Sequence, residues 1–147
     1  AMYQSIVSNI ENNDIYISAA AISDYKPSYT KGKIKKRSNL ISINLEKTKD
    51  ILSYVGENFS HKFLVGFAAE SENVVENGKN KLLSKNLDIV IGNEIKESMG
   101  KTKASMVIID HDKNTILPKA EKDIQSRIIL EYIFKLLSKE KAHDTIN

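Results

Sequence analysis

The sequence has 147 residues, of which 41% are hydrophobic and 28% are charged. These values are typical of one globular domain and not of a disordered or fibrous chain. The absence of cysteine excludes disulfides, thiolate nucleophiles and zinc sites with cysteine ligands. No apolar run approaches the roughly 20 residues of a membrane-spanning helix, and no secretory leader pattern opens the chain. We therefore expect a cytoplasmic protein without membrane contact.

Positive charge is concentrated in one segment. Lysine and arginine total 22 against 19 acids, a net charge of +3. Residues 26–37 carry six positive charges and no acid, so subtracting six leaves the rest of the chain at −3. A local cluster favours a compact polyanion such as a nucleoside triphosphate, because duplex-binding proteins usually spread their basic residues along a face. Arginine occurs only at Arg37 and Arg127, which also argues against base recognition and hence against a nucleic-acid partner.

The first third of the chain predicts a helix, two strands and a basic insertion. Apolar residues at helical spacing predict a helix over residues 3–12, and an apolar run predicts a buried strand over residues 14–21. A proline and a glycine indicate a loop over residues 23–32, which the basic stretch 33–37 follows. Period-two alternation predicts a half-exposed strand over residues 40–45.

The middle of the chain alternates between helices and apolar strands. Thr48 is the predicted N-cap of a helix over residues 49–58. An apolar strand is predicted over residues 63–69, and a helix over residues 71–86 has an acidic start and a lysine-rich end that suit the helix dipole. Residues 88–93 predict another short buried strand.

The last third predicts a hairpin and a long helix. Residues 94–104 are polar and are predicted to form a loop. Residues 105–110 and 115–117 predict the two strands of a hairpin. A helix is predicted over residues 119–137, with a frayed tail after Lys139. Its predicted apolar face consists of Ile124, Ile128, Ile129, Tyr132, Ile133 and Leu136.

Apolar strands that alternate with helices predict an α/β fold with a mostly parallel, Rossmann-like sheet, helices on both faces and a small antiparallel hairpin extension. Ligands of such sheets bind beyond the carboxyl ends of the strands. Three predicted strands end in small or polar residues, at 18–21, 66–69 and 92–93. Close packing of strands against helices also favours small residues, but three such ends together favour a pocket. No glycine-rich phosphate loop occurs in the sequence.

Several motifs resemble the bacterial phosphopantothenoylcysteine synthetase family, the synthetase half of the bifunctional coenzyme A biosynthesis flavoprotein. AAAISDYKP at residues 19–27 and KIKK at residues 33–36 match the family pattern A-A-V-A-D-Y-x-P, a spacer and K-I-K-K. The resemblance continues through KTKDI at residues 47–51, VGFAAE at residues 65–70 and the lysines of the next helix. It spans nearly the whole chain in order. At position 49 the family has proline and this chain has Lys49.

The resemblance implies an enzyme, a ligase that joins cysteine to 4′-phosphopantothenate at the expense of CTP. The substrate carboxylate attacks the α-phosphate of CTP to give an acyl-cytidylate and pyrophosphate, and the amine of cysteine then displaces CMP. Lysines and magnesium would offset the repulsion between these anions. Lys33 matches the key triphosphate lysine and is the candidate catalytic residue. The matched nucleotide-binding positions are Ser18, Ala19, Ala20, Asp24, Lys33, Lys47, Thr48, Asp50, Phe67, Lys81 and Lys85.

The resemblance also carries expectations about domains and partners. The family's glycine-rich amino-terminal segment has no counterpart in this sequence, so residues 1–147 are expected to be one truncated synthetase domain that is inactive or nearly inactive alone. A homodimer is expected, with residues 40–45 at the two-fold contact. A phosphopantothenoylcysteine decarboxylase, fused or associated, would hold any FMN.

The residues by themselves leave simpler interpretations open. The lysine-rich loop could be solvated surface, Asp24 could cap a turn, and Phe67 could belong to the core. Lys81 and Lys85 could serve the helix dipole. The Asp-His-Asp sequence at residues 110–112 suggests a metal triad, but consecutive strand residues point to opposite faces, so no metal site is expected. A nucleic-acid-binding module that uses the basic loop and a dimerisation fragment stay as alternative functions.

Overall fold

The computed structural model describes residues 2–29, 31–32, 42–94 and 103–144. The basic stretch 33–37, residues 40–41 and most of the polar loop 94–104 lie outside the described residues. None of the described helices is long and apolar enough to cross a membrane. The elements in chain order are α1 (Met2–Asn9), a 3₁₀ turn (Ile10–Asn12), β1 (Ile15–Ser18), β2 (Tyr25–Pro27), β3 (Leu45–Lys47), α2 (Ile51–Asn58), β4 (Phe63–Glu70), α3 (Val74–Ser84), β5 (Ile89–Glu94), β6 (Lys103–Ala104), β7 (Met106–Asp110), β8 (Asn114–Ile116), β9 (Ala120–Glu121) and α4 (Lys122–Asp144).

Five strands form the central sheet in the order β1-β4-β5-β7-β8. The first three strands are parallel, with Ile17 opposite Val65 and Phe67 opposite Ile91. The hairpin of β7 and β8 joins β5 in antiparallel orientation, and the pairs β2–β3 and β6–β9 form small antiparallel ribbons. The predicted fold class, a mostly parallel α/β sheet with flanking helices and a small antiparallel extension, is confirmed.

A hydrophobic core lies on each face of the sheet, because successive residues of a strand point to opposite sides. Leu64 belongs to the cluster that includes residues of α2 and α3, whereas its neighbour Val65 belongs to the cluster that includes residues of α4. Both side chains are fully buried. Residues 63–69 therefore form a continuous apolar run, since helices cover both faces of this parallel strand.

The ribbon of β2 and β3 corrects two predictions from the sequence. Residues 25–27, predicted to be loop, pair with residues 45–47, with Tyr25 opposite Lys47. The strand predicted over residues 40–45 begins only at Leu45. All six ribbon residues are exposed. The ribbon has no buried face to impose a period-two pattern, and its pairing joins segments far apart in sequence, so local periodicity could not reveal it.

Helix α2 begins at Ile51, two residues later than predicted. The prediction that Thr48 is its N-cap is wrong. Asp50 caps the helix, because its carboxylate accepts a hydrogen bond from the backbone N–H of Ser53 at 3.0 Å. Aspartate and threonine are both favourable N-cap residues. The N-cap is the one whose side-chain oxygen accepts a hydrogen bond from the backbone N–H three residues later, and here that residue is Asp50.

Other predicted elements are present with shifted boundaries. The strand predicted over residues 14–21 ends at Ser18. The helix predicted over residues 71–86 is α3 and begins only after Asn73, whose φ of 52° is left-handed and interrupts regular structure. The predicted hairpin is present as β7 and β8.

The terminal helix α4 differs from its prediction at both ends. It begins at Lys122 and its backbone continues to Asp144, so the prediction of a frayed tail after Lys139 is wrong for most of that tail. Ile124, predicted to face inward, is 48% exposed, whereas Gln125 is fully buried. The Gln125 side-chain amide donates to the carbonyl of Pro118 at 3.0 Å. Gln125 thus takes the inward position predicted for Ile124. The other five residues of the predicted apolar face lie in the core or pack against it, namely Ile128, Ile129, Tyr132, Ile133 and Leu136.

Candidate functional site

A cavity of about 150 Å³ lies beyond the carboxyl end of β1, beside β4 and the first turn of α2. Most of the predicted site residues that the structure describes line it, whereas Ala19 and Lys47 do not, and Lys33 lies outside the described residues. Of the three small-residue strand ends, those of β1 and β4 contribute to the cavity, but residues 92–93 do not. The lining residues are Ser18, Ala20, Ile22, Asp24, Thr48, Lys49, Asp50, Ile51, Leu52, Phe67, Lys81 and Lys85.

Thr48, which precedes α2, forms hydrogen bonds with the loop that contains Asp24. Its hydroxyl donates to the carbonyl of Ser23 at 2.5 Å, and its backbone N–H donates to the carbonyl of Asp24 at 2.8 Å. The Ser23 hydroxyl donates to the carbonyl of Tyr25 at 2.6 Å and so closes a local turn. These hydrogen bonds hold Asp24 at the mouth of the cavity, where its side chain is exposed.

Asp50 and Lys85 form an ion pair inside the cavity. The Lys85 ammonium donates to the Asp50 carboxylate and, at 2.6 Å, to the hydroxyl of Ser53. Burial alone would raise the pKa of Asp50, but the hydrogen bonds from Lys85 and Ser53 outweigh it and hold that pKa below its usual 3.8. A Cβ at Gly56 would overlap the carbonyl oxygen of Lys85. Glycine thus lets α2 approach the end of α3 closely.

Lys81 lies one turn before Lys85 and is half-buried. Its ammonium donates to the carbonyl of Phe67 at 2.7 Å. Burial, and next the positive charge of Lys85, lower the pKa of Lys81 below its usual 10.5. Phe67 is half-buried, packs against the core cluster on the α4 side of the sheet and also lines the cavity. Its two possible roles, in the core and at the site, are therefore compatible.

Lys49 is a cavity residue absent from the predicted site residues. It lines the cavity, and its ammonium lies 4.1 Å from the centre of the Tyr3 ring, a cation–π arrangement. Among the described residues, three lysines thus line the cavity. The signal in the sequence was the replacement of the family's proline by a charged residue between Thr48 and Asp50.

Comparison with known proteins assigns the chain to a family. The profile of the DNA/pantothenate metabolism flavoprotein C-terminal domain matches residues 1–137. The chain belongs to this family. Coenzyme A biosynthesis bifunctional protein CoaBC from Borreliella burgdorferi is 35% identical over an alignment of 137 residues, which covers 90% of this chain and 35% of the relative. The chain therefore spans about a third of the length of that relative. The resemblance inferred from the sequence motifs is confirmed.

Two solved structures share the fold of this chain. The crystal structure of the C-terminal domain of a CoaBC protein matches with a TM-score of 0.75 and 29% sequence identity. The match covers 94% of this chain and 62% of the chain in that structure. A Cab2 mutant in complex with phosphopantothenate-cysteine matches with a TM-score of 0.69 and 21% sequence identity. This match covers 89% of this chain and 46% of the Cab2 chain. At that identity the second likeness concerns the fold alone.

The Asp-His-Asp sequence of this family member has local structural roles. The Asp110 carboxylate accepts from the backbone N–H groups of Asp112 and Lys113, at 2.8 and 2.6 Å, and from the hydroxyl of Tyr132. The His111 Nε2 lies 2.9 Å from the carbonyl of Leu87. These contacts close the β7–β8 hairpin and join it to α4 and to the start of β5. The described residues contain no group of three or more histidine and carboxylate side chains that could hold a metal ion.

Proposed function

We propose that this chain is the nucleotide-binding portion of a phosphopantothenate–cysteine ligase of coenzyme A biosynthesis that uses CTP. The observation that carries the proposal is the cavity, where Lys49, Lys81 and Lys85 meet Asp24 and an aromatic ring, that of Phe67. The name of the CoaBC relative refers to coenzyme A biosynthesis, and the Cab2 neighbour holds phosphopantothenate-cysteine. The name of the relative supports this function over other nucleotide-dependent activities, whereas the Cab2 neighbour supports it only through the shared fold.

The proposed reaction has two steps. A carboxylate oxygen of 4′-phosphopantothenate bonds to the α-phosphorus of CTP, the bond to the β-phosphate oxygen breaks, and pyrophosphate leaves. The cysteine nitrogen then bonds to the acyl carbon, the bond to CMP breaks, and the amine loses a proton. Both steps bring anions together, so the work of the protein is mainly electrostatic and positional. Lys33, Lys81 and Lys85 are the residues proposed to bind the phosphates.

Magnesium fits this arrangement. Mg²⁺ in nucleotide sites is usually held by one or two carboxylates together with substrate phosphates and water. Of the two carboxylates that line the cavity within the described residues, Asp50 is bonded to Lys85, so Asp24 is the proposed ligand. The metal would neutralise part of the triphosphate charge when bound. FMN, in this proposal, belongs to a decarboxylase domain and has no part in the ligation.

The described residues form only part of the proposed site. Their cavity of about 150 Å³ is smaller than the roughly 300–1,000 Å³ of typical ligand pockets. We therefore propose that Lys33 and the glycine-rich segment of the family complete it. On this proposal residues 1–147 are one truncated synthetase domain with little ligase activity alone. The expected cytoplasmic location stays a prediction.

A homodimer is part of the proposal. The β2–β3 ribbon and its flanks expose large apolar side chains, with exposures of 56% for Tyr25, 59% for Leu45, 61% for Ile43 and 90% for Tyr29. Clustered exposed apolar residues of this kind mark contact surfaces. Sedimentation velocity should give the mass of two chains, and a monomer at micromolar concentration would contradict the proposal.

Calorimetric titration with CTP and ATP tests the proposed function. We expect CTP to bind more tightly than ATP, and Lys33→Gln to weaken CTP binding at least tenfold, because a phosphate loses a charge-assisted hydrogen bond. Lys79→Gln, on the exposed side of α3, is the control of equal charge. Equal, weak binding of both nucleotides that Lys33→Gln leaves unchanged would overturn the proposal. Tight binding of RNA that falls steeply with salt would favour the nucleic-acid alternative.

A further inference from the structure

Lys49 separates Thr48 from the helix-capping Asp50. Its side chain is exposed and lines the cavity. Its ammonium lies over the ring of Tyr3, 4.1 Å from the ring centre. Tyr3 in turn packs edge-to-face against Tyr54, with ring centres 5.0 Å apart. The aromatic pair therefore offers a fixed resting position for a cation at the cavity wall.

The other two lysines of the cavity are already engaged. Lys85 donates to Asp50 and to Ser53, so two of its three ammonium hydrogens already have acceptors. Lys81 is half-buried, and its ammonium donates to the carbonyl of Phe67. Lys49 differs because its described contact is with the face of an aromatic ring, which leaves all three ammonium hydrogens able to bond elsewhere.

Lys49 also determines whether the described lining residues give the cavity a net positive charge. Within the described part of the chain, the charged lining residues are two carboxylates, Asp24 and Asp50, and three lysines. The formal charges of these five residues sum to +1, and without Lys49 the sum would be zero. A neutral cavity would offer a polyphosphate no net attraction from these residues, whereas a positive one concentrates anions.

We propose that Lys49 is an additional phosphate-binding residue that moves from the Tyr3 ring onto the phosphates of the bound nucleotide. An exposed cation–π contact is weaker than a charge-assisted hydrogen bond to phosphate, so the move is favourable. The inference rests on the proposed function, because it assumes a polyphosphate ligand in the same cavity.

Calorimetry with CTP and with inorganic tripolyphosphate tests this role, using the full chain and Lys49→Gln. We expect Lys49→Gln to weaken the binding of both ligands about tenfold at low salt and less at high salt, since exposed charges are screened. Lys79→Gln removes the same charge from an exposed position on α3 outside the cavity and should change neither affinity.

A measurement on the unmodified chain complements the variants. The ring current of Tyr3 should shift the Cε protons of Lys49 upfield in the NMR spectrum, and addition of CTP should return them towards the position of a free lysine. If the chain binds CTP but Lys49→Gln binds it equally well, or the Cε protons do not move, the inference is wrong and the proposed function stands. If the unmodified chain binds neither ligand, the proposed function fails, and the inference fails with it.

Discussion

Two aspartates, at opposite ends of the central sheet, show how the same side chain serves different purposes. Asp110 lies opposite Ile89, at the amino end of β5, and is 8% exposed. Its carboxylate accepts from two backbone N–H groups and from the hydroxyl of Tyr132. Asp50 lies beyond the carboxyl end of β1, and its side chain is 44% exposed and bonded to the Lys85 ammonium.

The chemical nature of the partners separates the two sites. Neutral donors around a buried carboxylate satisfy it completely and fix a turn, which is a structural role. A cationic partner in an open cavity beside two further lysines leaves positive charge available to a ligand. In both cases hydrogen bonds outweigh burial and hold the aspartate pKa below its usual 3.8. A lowered carboxyl pKa therefore does not by itself distinguish structure from function.

The largest expected effect is on the Asp110 site. Asp110→Ala should lower the free energy of unfolding by about 3 kcal/mol, because it removes hydrogen bonds to a charged acceptor and leaves the half-buried Tyr132 hydroxyl without that acceptor. Urea unfolding would measure this. Asp112→Ala, an exposed neighbour in the same turn, is the control and should stay within about 0.5 kcal/mol. A loss of CTP binding by folded Asp110→Ala would contradict the separation of the two sites.

A smaller effect, on binding and not on stability, is expected for Lys81→Met. We expect CTP affinity to fall about tenfold, which is about 1.4 kcal/mol. The free energy of unfolding should not fall, because burial already disfavours the charged lysine, as its lowered pKa indicates, and cavity water can replace its bond to the Phe67 carbonyl. Calorimetry and thermal unfolding report the two quantities. A clear drop in melting temperature with unchanged CTP affinity would instead make Lys81 a structural residue.

The features that depend on local sequence patterns could be predicted from the sequence. The apolar run of residues 63–69 was enough to predict a strand of the main sheet, and the small residues after the first predicted strand indicated the end of the sheet at which the cavity opens. The antiparallel pairing of Tyr25 with Lys47 could not be predicted, because it depends on a contact between segments that are distant in sequence and wholly exposed.

The partners of individual charged residues also had to come from the structure. The matched motifs selected Asp50 and Lys85 separately, but nothing in their spacing of 35 residues indicates that they bond to each other. Gln125 shows the same limit in the core. Its amide group is polar, so the sequence predicts an exposed position, whereas the structure shows it buried and bonded to the Pro118 carbonyl.

The smallest expected effect isolates the charge of Asp50. Asp50→Asn keeps a good N-cap, so the difference in stability from the unmodified chain reports mainly the ion pair with Lys85. We expect a loss of less than about 1 kcal/mol at pH 7, because the pair is partly exposed and solvent screens it. The folded-state pKa of Asp50 lies below 3.8. The contribution of the charge is therefore fully present above that value and is lost as the pH falls through the folded-state pKa.

Urea unfolding of Asp50→Asn and of the unmodified chain between pH 7 and pH 2 measures the difference in their free energies of unfolding. Glu57→Gln, an exposed change of equal charge on the same helix, corrects for the general effect of losing one negative charge. The curves for Asp50→Asn and the unmodified chain should converge on acidification. A difference that does not shrink as the pH falls would mean that the side chain acts through its shape or through the hydrogen bond that it accepts from the Ser53 backbone N–H. The contrast with Asp110 would then lose its electrostatic basis, since both aspartates would serve chiefly to close a turn.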